Sequence, residues 1–122
     1  MSKVPVQVQL APLLARTASV TGDTEVSYGY RGIKVVNKIT VNGSGNTVTV
    51  NIYGVDAYGN KYLLLSSSAL SAVATVVLTV HPAMTASTNV TANDVLPARF
   101  EVDCVLGNAN SITFSTSYDL LP

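Results

Sequence analysis

Alternation of polar and apolar residues with a period of two runs through almost the whole chain of 122 residues, and helical periodicity is hard to find. The segment NTVTVNIYGVD is the clearest case: Val48, Val50 and Ile52 point to one side of a strand, while Thr49 and Asn51 point to the other. This pattern is typical of strands with one buried and one solvated face. The chain is therefore predicted to be all-β.

Turn-forming residues separate these strand patterns at regular intervals. NG and GSG follow IKVVNKITV, which predicts a β-hairpin with the next strand, and DAYGN predicts a second hairpin. GNAN joins RFEVDCVLG to SITFSTSYDLL and predicts a terminal hairpin. About seven or eight antiparallel strands at this spacing predict a single β-sandwich with jelly-roll or Greek-key wiring.

The N-terminal segment differs from the rest of the chain. VPVQVQL alternates apolar residues with polar partners, and the apolar ones include Val4, Val6 and Val8. Pro5 has no amide hydrogen to donate to a ladder, and Pro12 interrupts the alternation. Residues 1–12 are predicted to be either an extended arm that adds a strand to a neighbour or an edge strand of the chain's own sheet, with residues 13–122 as the sandwich.

The composition is neutral and low in charge. Seven Lys and Arg residues balance seven Asp and Glu residues, and only 11% of residues are charged while 48% are hydrophobic. Such a surface has no net field to attract nucleic acid or an anionic membrane, so neither is an expected partner. Faces of Ser, Thr, Asn and Tyr cost little to desolvate, which favours lasting protein contacts. Self-association, as a homotrimer, is the expectation, and a merely polar β surface is the alternative.

No segment approaches the roughly 20 apolar residues of a membrane span. The N-terminus also lacks the apolar run of a signal peptide. The chain is therefore expected to mature in a cytoplasm.

Groups that could support catalysis are sparse. His81 is the sole histidine and Cys104 the sole cysteine, so a zinc site has too few ligands and no intrachain disulfide can form. Cys104 alternates with Phe100 and Val102, which predicts a buried thiol. Calcium would need a dense run of oxygen ligands, and no loop has one. We expect no enzymatic activity, no metal, no cofactor and no small-molecule substrate.

Glu101 and Asp103 share the outward face of one predicted strand. They could be read as a carboxylate pair for acid and base catalysis. Cross-strand ion pairs with Lys34 and Lys38, with Arg99 on the same face, are the preferred interpretation.

The stretch SYGYRGIKVV concentrates two tyrosines, two glycines, an arginine and a lysine. Tyrosine has an apolar ring and a polar tip, and it is enriched where proteins bind each other. The predicted protein-contact residues are Tyr28, Tyr30, Arg31, Tyr53 and Tyr58, together with Val4, Val6 and Val8. In the alternative interpretation the tyrosines near the turn only cover the sandwich edge. The long polar loop at residues 82–97 is a further candidate for a contact or a mobile segment.

The runs ARTASVTGDTEVSYGYRGIKVV, VTVNIYGVDAYGNKYLLLSSSALSAVATVVLTVHPAMTA and NDVLPARFEVDCVLGNANSITFSTSYDLLP resemble small virion structural proteins of tailed bacteriophages. The resemblance covers about residues 13–121 and is one of strand and turn texture, closest in size and style to capsid decoration, or cement, proteins. It implies a virion subunit, often trimeric, that binds the major capsid protein on the outer capsid surface. A tail, neck or fibre-associated subunit is an alternative, as is a carbohydrate-binding module, although such modules favour the tryptophan that this chain lacks.

Overall fold

The computed structural model describes residues 6–122, which form ten β-strands and no helix. Seven strands have six or more residues: β1 (Val6–Arg16), β4 (Gly32–Val41), β5 (Val48–Val55), β6 (Lys61–Ser66), β7 (Thr75–Val80), β9 (Arg99–Leu106) and β10 (Ile112–Leu121). Three have two residues: β2 (Val20–Thr21), β3 (Glu25–Val26) and β8 (Thr91–Ala92). The prediction of an all-β chain is confirmed. Within the described part of the chain, nothing forms a helix of the length and hydropathy that a membrane crossing requires.

The strands form two sheets that pack as a sandwich. One has the order β1-β10-β4-β7-β8, and the other has the order β2-β9-β5-β6, with β3 also on β9. The pairing is nested: β5 pairs β6, β4 pairs β7, β2 and β3 pair β9, and β1 pairs β10. Nested pairs divided between two sheets are jelly-roll wiring, one of the two arrangements that the sequence predicted. All pairs are antiparallel except β7 with β8, which is parallel.

Because the pairing is nested, two of the three predicted hairpins are wrong. Only β5 and β6 form a hairpin at a predicted turn, because β4 and β5 lie in different sheets and so do β9 and β10. Residues 42–47 and 107–111 therefore cross from sheet to sheet. Turn residues such as NG mark a reversal of the chain, but they do not determine whether the next strand pairs with the last one or folds over it.

The two crossing connections are joined by the side chain of Asn46, which is 1% exposed. Its Nδ2 donates to the carbonyl oxygens of Asn108 (3.0 Å) and Asn110 (2.7 Å). Its Oδ1 accepts from the backbone N–H groups of Thr47 (2.7 Å) and Asn108 (3.0 Å). We call Asn42, Asn46, Asn108 and Asn110 the asparagine network. It closes one end of the sandwich.

The core contains the inward residues of both sheets, as the alternation predicted. Val48, Val50 and Ile52 have no exposed surface, and Cys104 is equally buried. Cys104 Sγ lies 3.4 Å from Thr116 Oγ1, which also accepts a hydrogen bond from an asparagine side chain on β4. The predicted buried position of the cysteine is confirmed.

The N-terminal segment belongs to β1 as far as it is described. Val6 and Val8 pair with β10 and pack half-buried against the core. Residues 6–12 thus take the edge-strand alternative, and β1 continues through Pro12 because two register shifts in its pairing with β10 accommodate the proline. Val4 lies outside the described residues.

Candidate protein-contact surface

Tyr28 occupies a turn that holds it in an unusual backbone conformation. Tyr28 has φ of 52° and Gly29 has φ of 76°, and the Tyr30 N–H donates to the Ser27 carbonyl at 3.0 Å. Two central residues with positive φ define a type I′ turn, which favours Asn and Gly. A left-handed tyrosine costs about 1–2 kcal/mol. The side chain of Tyr28 is nevertheless 75% exposed, so its strain is not offset by burial of the ring.

Tyr30 corrects a sequence prediction. It was expected at a protein contact beside Tyr28, but it is 8% exposed and belongs to the core cluster. The physical reason is the turn itself: residues two apart share a face only in an extended strand, and the reversal at Tyr28 and Gly29 sends one ring outward and the other inward.

Backbone hydrogen bonds fix both flanks of this turn. The Ser27 N–H donates to the Ala98 carbonyl, and the Arg31 N–H donates to the Leu121 carbonyl, both at 2.9 Å. The Arg31 carbonyl accepts from the Leu96 N–H at 2.8 Å. The exposed side chains of Tyr28 and Arg31 therefore extend from a backbone that hydrogen bonds hold in place.

Tyr58 lies at the tip of the β5–β6 hairpin and is 92% exposed. The Asp56 carboxylate organises this tip by accepting the backbone N–H groups of Tyr58 (2.9 Å) and Asn60 (2.8 Å). These bonds, led by the one from the Asn60 backbone, lower the pKa of Asp56 from its ordinary value. Gly59, with φ of 84°, completes the turn.

The two tyrosine turns lie at the same end of the sandwich, opposite the asparagine network. Arg99 connects them, because it pairs with Val26 of β3 while its Nη2 donates to the Asp56 carbonyl. Val26 is 47% exposed, and Val95, next to the Leu96 that binds the Arg31 carbonyl, is 52% exposed. We call this group the end surface: Val26, Tyr28, Arg31, Tyr58 and Val95.

Sequence reasoning identified three members of the end surface and missed two. Val26 and Val95 were not singled out. For Val26 the available signal was a lone apolar residue between polar neighbours beside a turn, in TEVSYG, whereas Val95 in NDVLP is followed by Leu96 and gave no such signal.

Tyr53 lies elsewhere, on the outer face of β5, and is half-buried. Lys61 Nζ sits 4.7 Å from its ring centroid and bonds to Glu101 Oε2 (2.8 Å) and Asp103 Oδ2 (3.3 Å). These bonds, chiefly the one to Glu101, raise the pKa of Lys61. The structure therefore places Tyr53 beneath an ion cluster, apart from Tyr28 and Tyr58.

The same cluster corrects the predicted ion pairs. Lys34 and Lys38 lie on β4 in the opposite sheet, whereas Lys61 on β6 is the cation that binds both acids. The predicted pairing failed because sequence alternation assigns a residue to an outward face without specifying which sheet that face belongs to.

Groups with catalytic or metal-binding chemistry are scattered. Across residues 6–122, no three His, Cys, Asp or Glu side chains are grouped so that they could hold a metal ion. Burial raises the pKa of Cys104 to about 11, which keeps it a thiol. The His81 ring lies at the end of β7, where Nδ1 accepts from the Ala83 N–H (3.0 Å) and Nε2 is 2.9 Å from the Pro122 carbonyl oxygen.

The long loop at 82–97 is partly ordered by β8, which pairs with β7. An open groove of about 370 Å³ between the edges of the two sheets is lined by residues 86–89 and 91–94 and by Leu64 and Leu65 of β6. The groove is separate from the end surface.

No protein-family model matches the chain, and no curated protein matches it. Among solved structures, the SPBc2 prophage-derived protein YomS is similar, with 16% identity, a TM-score of 0.50 and coverage of 98% of this chain and 97% of that one. A chain from a structure of Bacillus endospore appendages, described as disulfide-linked pili, has 14% identity, a TM-score of 0.52 and coverage of 99% and 91%. A chain of the naturally occurring empty particles of cowpea mosaic virus has 11% identity, a TM-score of 0.46 and coverage of 100% and 88%. For the prophage-derived protein and the endospore appendage chain, whose TM-scores reach 0.50, the likeness at these identities shows a shared fold.

Proposed function

We propose that this chain is a non-enzymatic structural subunit of a virus particle that binds the outer capsid surface and stabilises contacts between capsomers, as a capsid decoration protein does. The proposal is supported by the jelly-roll wiring, by a fold shared with a prophage-derived protein, and by the scatter of catalytic groups among residues 6–122. The low fraction of charged residues in the sequence fits a subunit that forms lasting contacts with other proteins.

The observation that carries the proposal is the strained, exposed tyrosine. Tyr28 keeps a left-handed backbone that Asn or Gly would adopt at lower cost, and its ring is 75% exposed. Strain of this kind is typical of functional positions rather than of structural ones. Tyr28 and Tyr58 give the end surface two exposed aromatic side chains and Arg31 adds a guanidinium, and tyrosine and arginine are the residue types enriched in protein-binding hot spots.

We also propose that the subunit associates with itself as a homotrimer, through a second surface. This surface has three exposed apolar side chains: Leu13 (57%) and Leu14 (49%) on the edge strand β1, and Val41 (58%) at the end of β4. Thr113 of β10 lies in register between Ala15 of β1 and Val41 of β4, so these residues belong to one region of the sheet. The end surface then stays available for the capsid.

Mass spectrometry of particles purified from the organism that encodes the chain tests the proposal directly. A copy number comparable to that of the capsomers supports capsid decoration. A few copies per particle would assign the chain to the tail, neck or a fibre, and absence from every particle would overturn the proposal.

A Tyr28→Asn variant tests the contact itself. It should fold at least as well as the parent chain, because Asn accepts a left-handed backbone, while its binding to particles should weaken by about 2 kcal/mol. The matched control is Val73→Asn, which removes an apolar side chain that is 64% exposed at the opposite end of the sandwich. If both variants bind particles equally well, Tyr28 does not take part in the contact.

Light scattering tests the trimer. If the protein stays a monomer even at high concentration, self-association in solution is refuted. Trimers that dissociate when Leu13 and Val41 are changed to Ser would support the second surface.

A further inference from the structure

The sequence Asn42-Gly43 lies in the first crossing connection, where the side chain of Asn42 is held by three hydrogen bonds. Its Oδ1 accepts from the Asn46 N–H at 3.0 Å. Its Nδ2 donates to the carbonyl oxygens of Asn46 (2.8 Å) and Ser71 (2.7 Å). Both polar atoms of the amide are therefore engaged, and Asn42 links the asparagine network to the loop before β7.

An asparagine followed by glycine is prone to lose its side-chain amide, because glycine has no Cβ to shield its backbone nitrogen. The Gly43 nitrogen gives up its proton to solvent base and attacks Asn42 Cγ. The Cγ–Nδ2 bond breaks, ammonia leaves, and a five-membered succinimide forms. Water then opens the ring at one of its two carbonyl carbons to give aspartate or isoaspartate, so the net change is water consumed and ammonia released.

We propose that Asn42 is a self-modification site whose reaction is blocked by the closed asparagine network and proceeds when the connection opens. The attack requires Asn42 Cγ to swing onto the Gly43 nitrogen, which breaks all three hydrogen bonds. The net contribution of one hydrogen bond shifts the equilibrium between the closed and the open connection by roughly fivefold. Three hydrogen bonds therefore slow the reaction by about a hundredfold. Gly43 itself is exposed, and no protein atom lies near the position of a Cβ. The hydrogen bonds to Asn42, rather than burial of Gly43, provide the protection.

The reaction would also prevent the connection from closing again. In aspartate an oxygen replaces Nδ2, and it would face the carbonyl oxygens of Asn46 and Ser71, which now accept from Nδ2. Isoaspartate lengthens the main chain by one atom between β4 and Asn46. Aspartate converts two attractive contacts into repulsive ones, and isoaspartate loses the Nδ2 donor and changes the backbone, so a chain that has once opened and reacted is permanently altered. This inference does not depend on the proposed virion function.

Peptide mapping by mass spectrometry tests the proposal on the full chain. The purified protein is incubated in mildly alkaline buffer, with and without a denaturing concentration of urea, and the deamidated fraction at Asn42 is followed over time. We expect deamidation about a hundredfold slower in the folded chain, as estimated from the three hydrogen bonds. Asn108 and Asn110 are internal controls, because they are followed by Ala109 and Ser111 and should react slowly in urea.

Gly43→Ala is the matched variant. Its added Cβ meets no atom within 4 Å, so the fold should be kept while the reaction in urea falls to the rate of Asn108. Asn42→Asp reproduces one product and should unfold at a lower urea concentration than Gly43→Ala. Equal rates at Asn42 in folded and unfolded chains would overturn the proposed protection, and an unreactive Asn42 in urea would overturn the site itself.

Discussion

Replacing Asn46 with Ala is the sharpest test of what joins the two connections between the sheets at one end of the sandwich. The side chain of Asn46 makes four hydrogen bonds to backbone groups of two connections that lie far apart in sequence. Alanine removes all four at once and leaves two N–H groups and two carbonyl oxygens without their partner. Because the side chain is buried, the space it leaves is also unfilled.

The magnitude follows from the exposure of those partners. A buried polar group that loses its hydrogen bond costs about 1–3 kcal/mol. Asn108 and Asn110 are exposed, so water can reach part of the gap, and we take the low end for each of the four groups. The expected loss is about 4 kcal/mol, a large part of the 5–15 kcal/mol typical of a domain.

Urea unfolding of the purified chain measures this loss. Asn110→Ala is the matched control: it removes only the exposed bond from Asn110 Nδ2 to the Ser44 carbonyl, so the expected cost is about 1 kcal/mol or less. Asn46→Asp should cost nearly as much as Asn46→Ala, because it keeps the two accepted bonds but points an oxygen at two carbonyls. A loss for Asn46→Ala no larger than that for Asn110→Ala would refute the idea that this side chain joins the sheets.

Four further outcomes follow from the structure. Lys61→Met should destabilise the fold by about 1–2 kcal/mol in urea unfolding, because it strands two largely buried carboxylates, and the 40% exposure of Lys61 keeps the loss below that of a fully buried pair. The pKa of Lys61 is raised in the folded state, so its contribution to stability is complete below the ordinary pKa of 10.5 and is lost as pH rises through the higher folded value. Unfolding measured at a series of alkaline pH values should show this decline in stability. Lys61→Met should lack it. The thiol of Cys104 should react with a soluble disulfide reagent only on unfolding, because burial raises its pKa to about 11, and fast labelling of the folded chain would contradict its buried position. Tyr28→Asn should raise the free energy of unfolding by about 1 kcal/mol, and a decrease would show that the ring contributes to the fold.

The inward positions of the strands could be predicted from the sequence alone. Val48, Val50 and Ile52 were assigned to the core from alternation and have no exposed surface, and Cys104 was placed correctly in the same way. Alternation is sufficient here because side-chain direction in a strand repeats every two residues and depends only on the local backbone. The same local logic gave the all-β class, but it left jelly-roll and Greek-key wiring both open.

The candidate site was predicted in part, for a related reason. Tyr28 and Tyr58 were placed on turns and are exposed, because each precedes a glycine of positive φ, Gly29 or Gly59, and glycine is a local signature of a turn. Tyr30 and Tyr53 do not lie with them: Tyr30 turns into the core, and Tyr53 lies under Lys61 on the outer face of β5. Residue type marked these tyrosines as contact candidates, but where each ring points depends on packing.

Partners that are distant in the chain were decided only by the tertiary structure. The turn at Asn42 and Gly43 marked a reversal, yet it crosses between sheets, and the cation that binds Glu101 and Asp103 is Lys61 rather than a lysine of β4. Asn46 gave no signal in the sequence beyond its place in a turn, although it joins connections about sixty residues apart. A strand with one apolar face can be buried against several alternative neighbours, and the selection among them depends on the packing of all the strands together, which no local pattern contains.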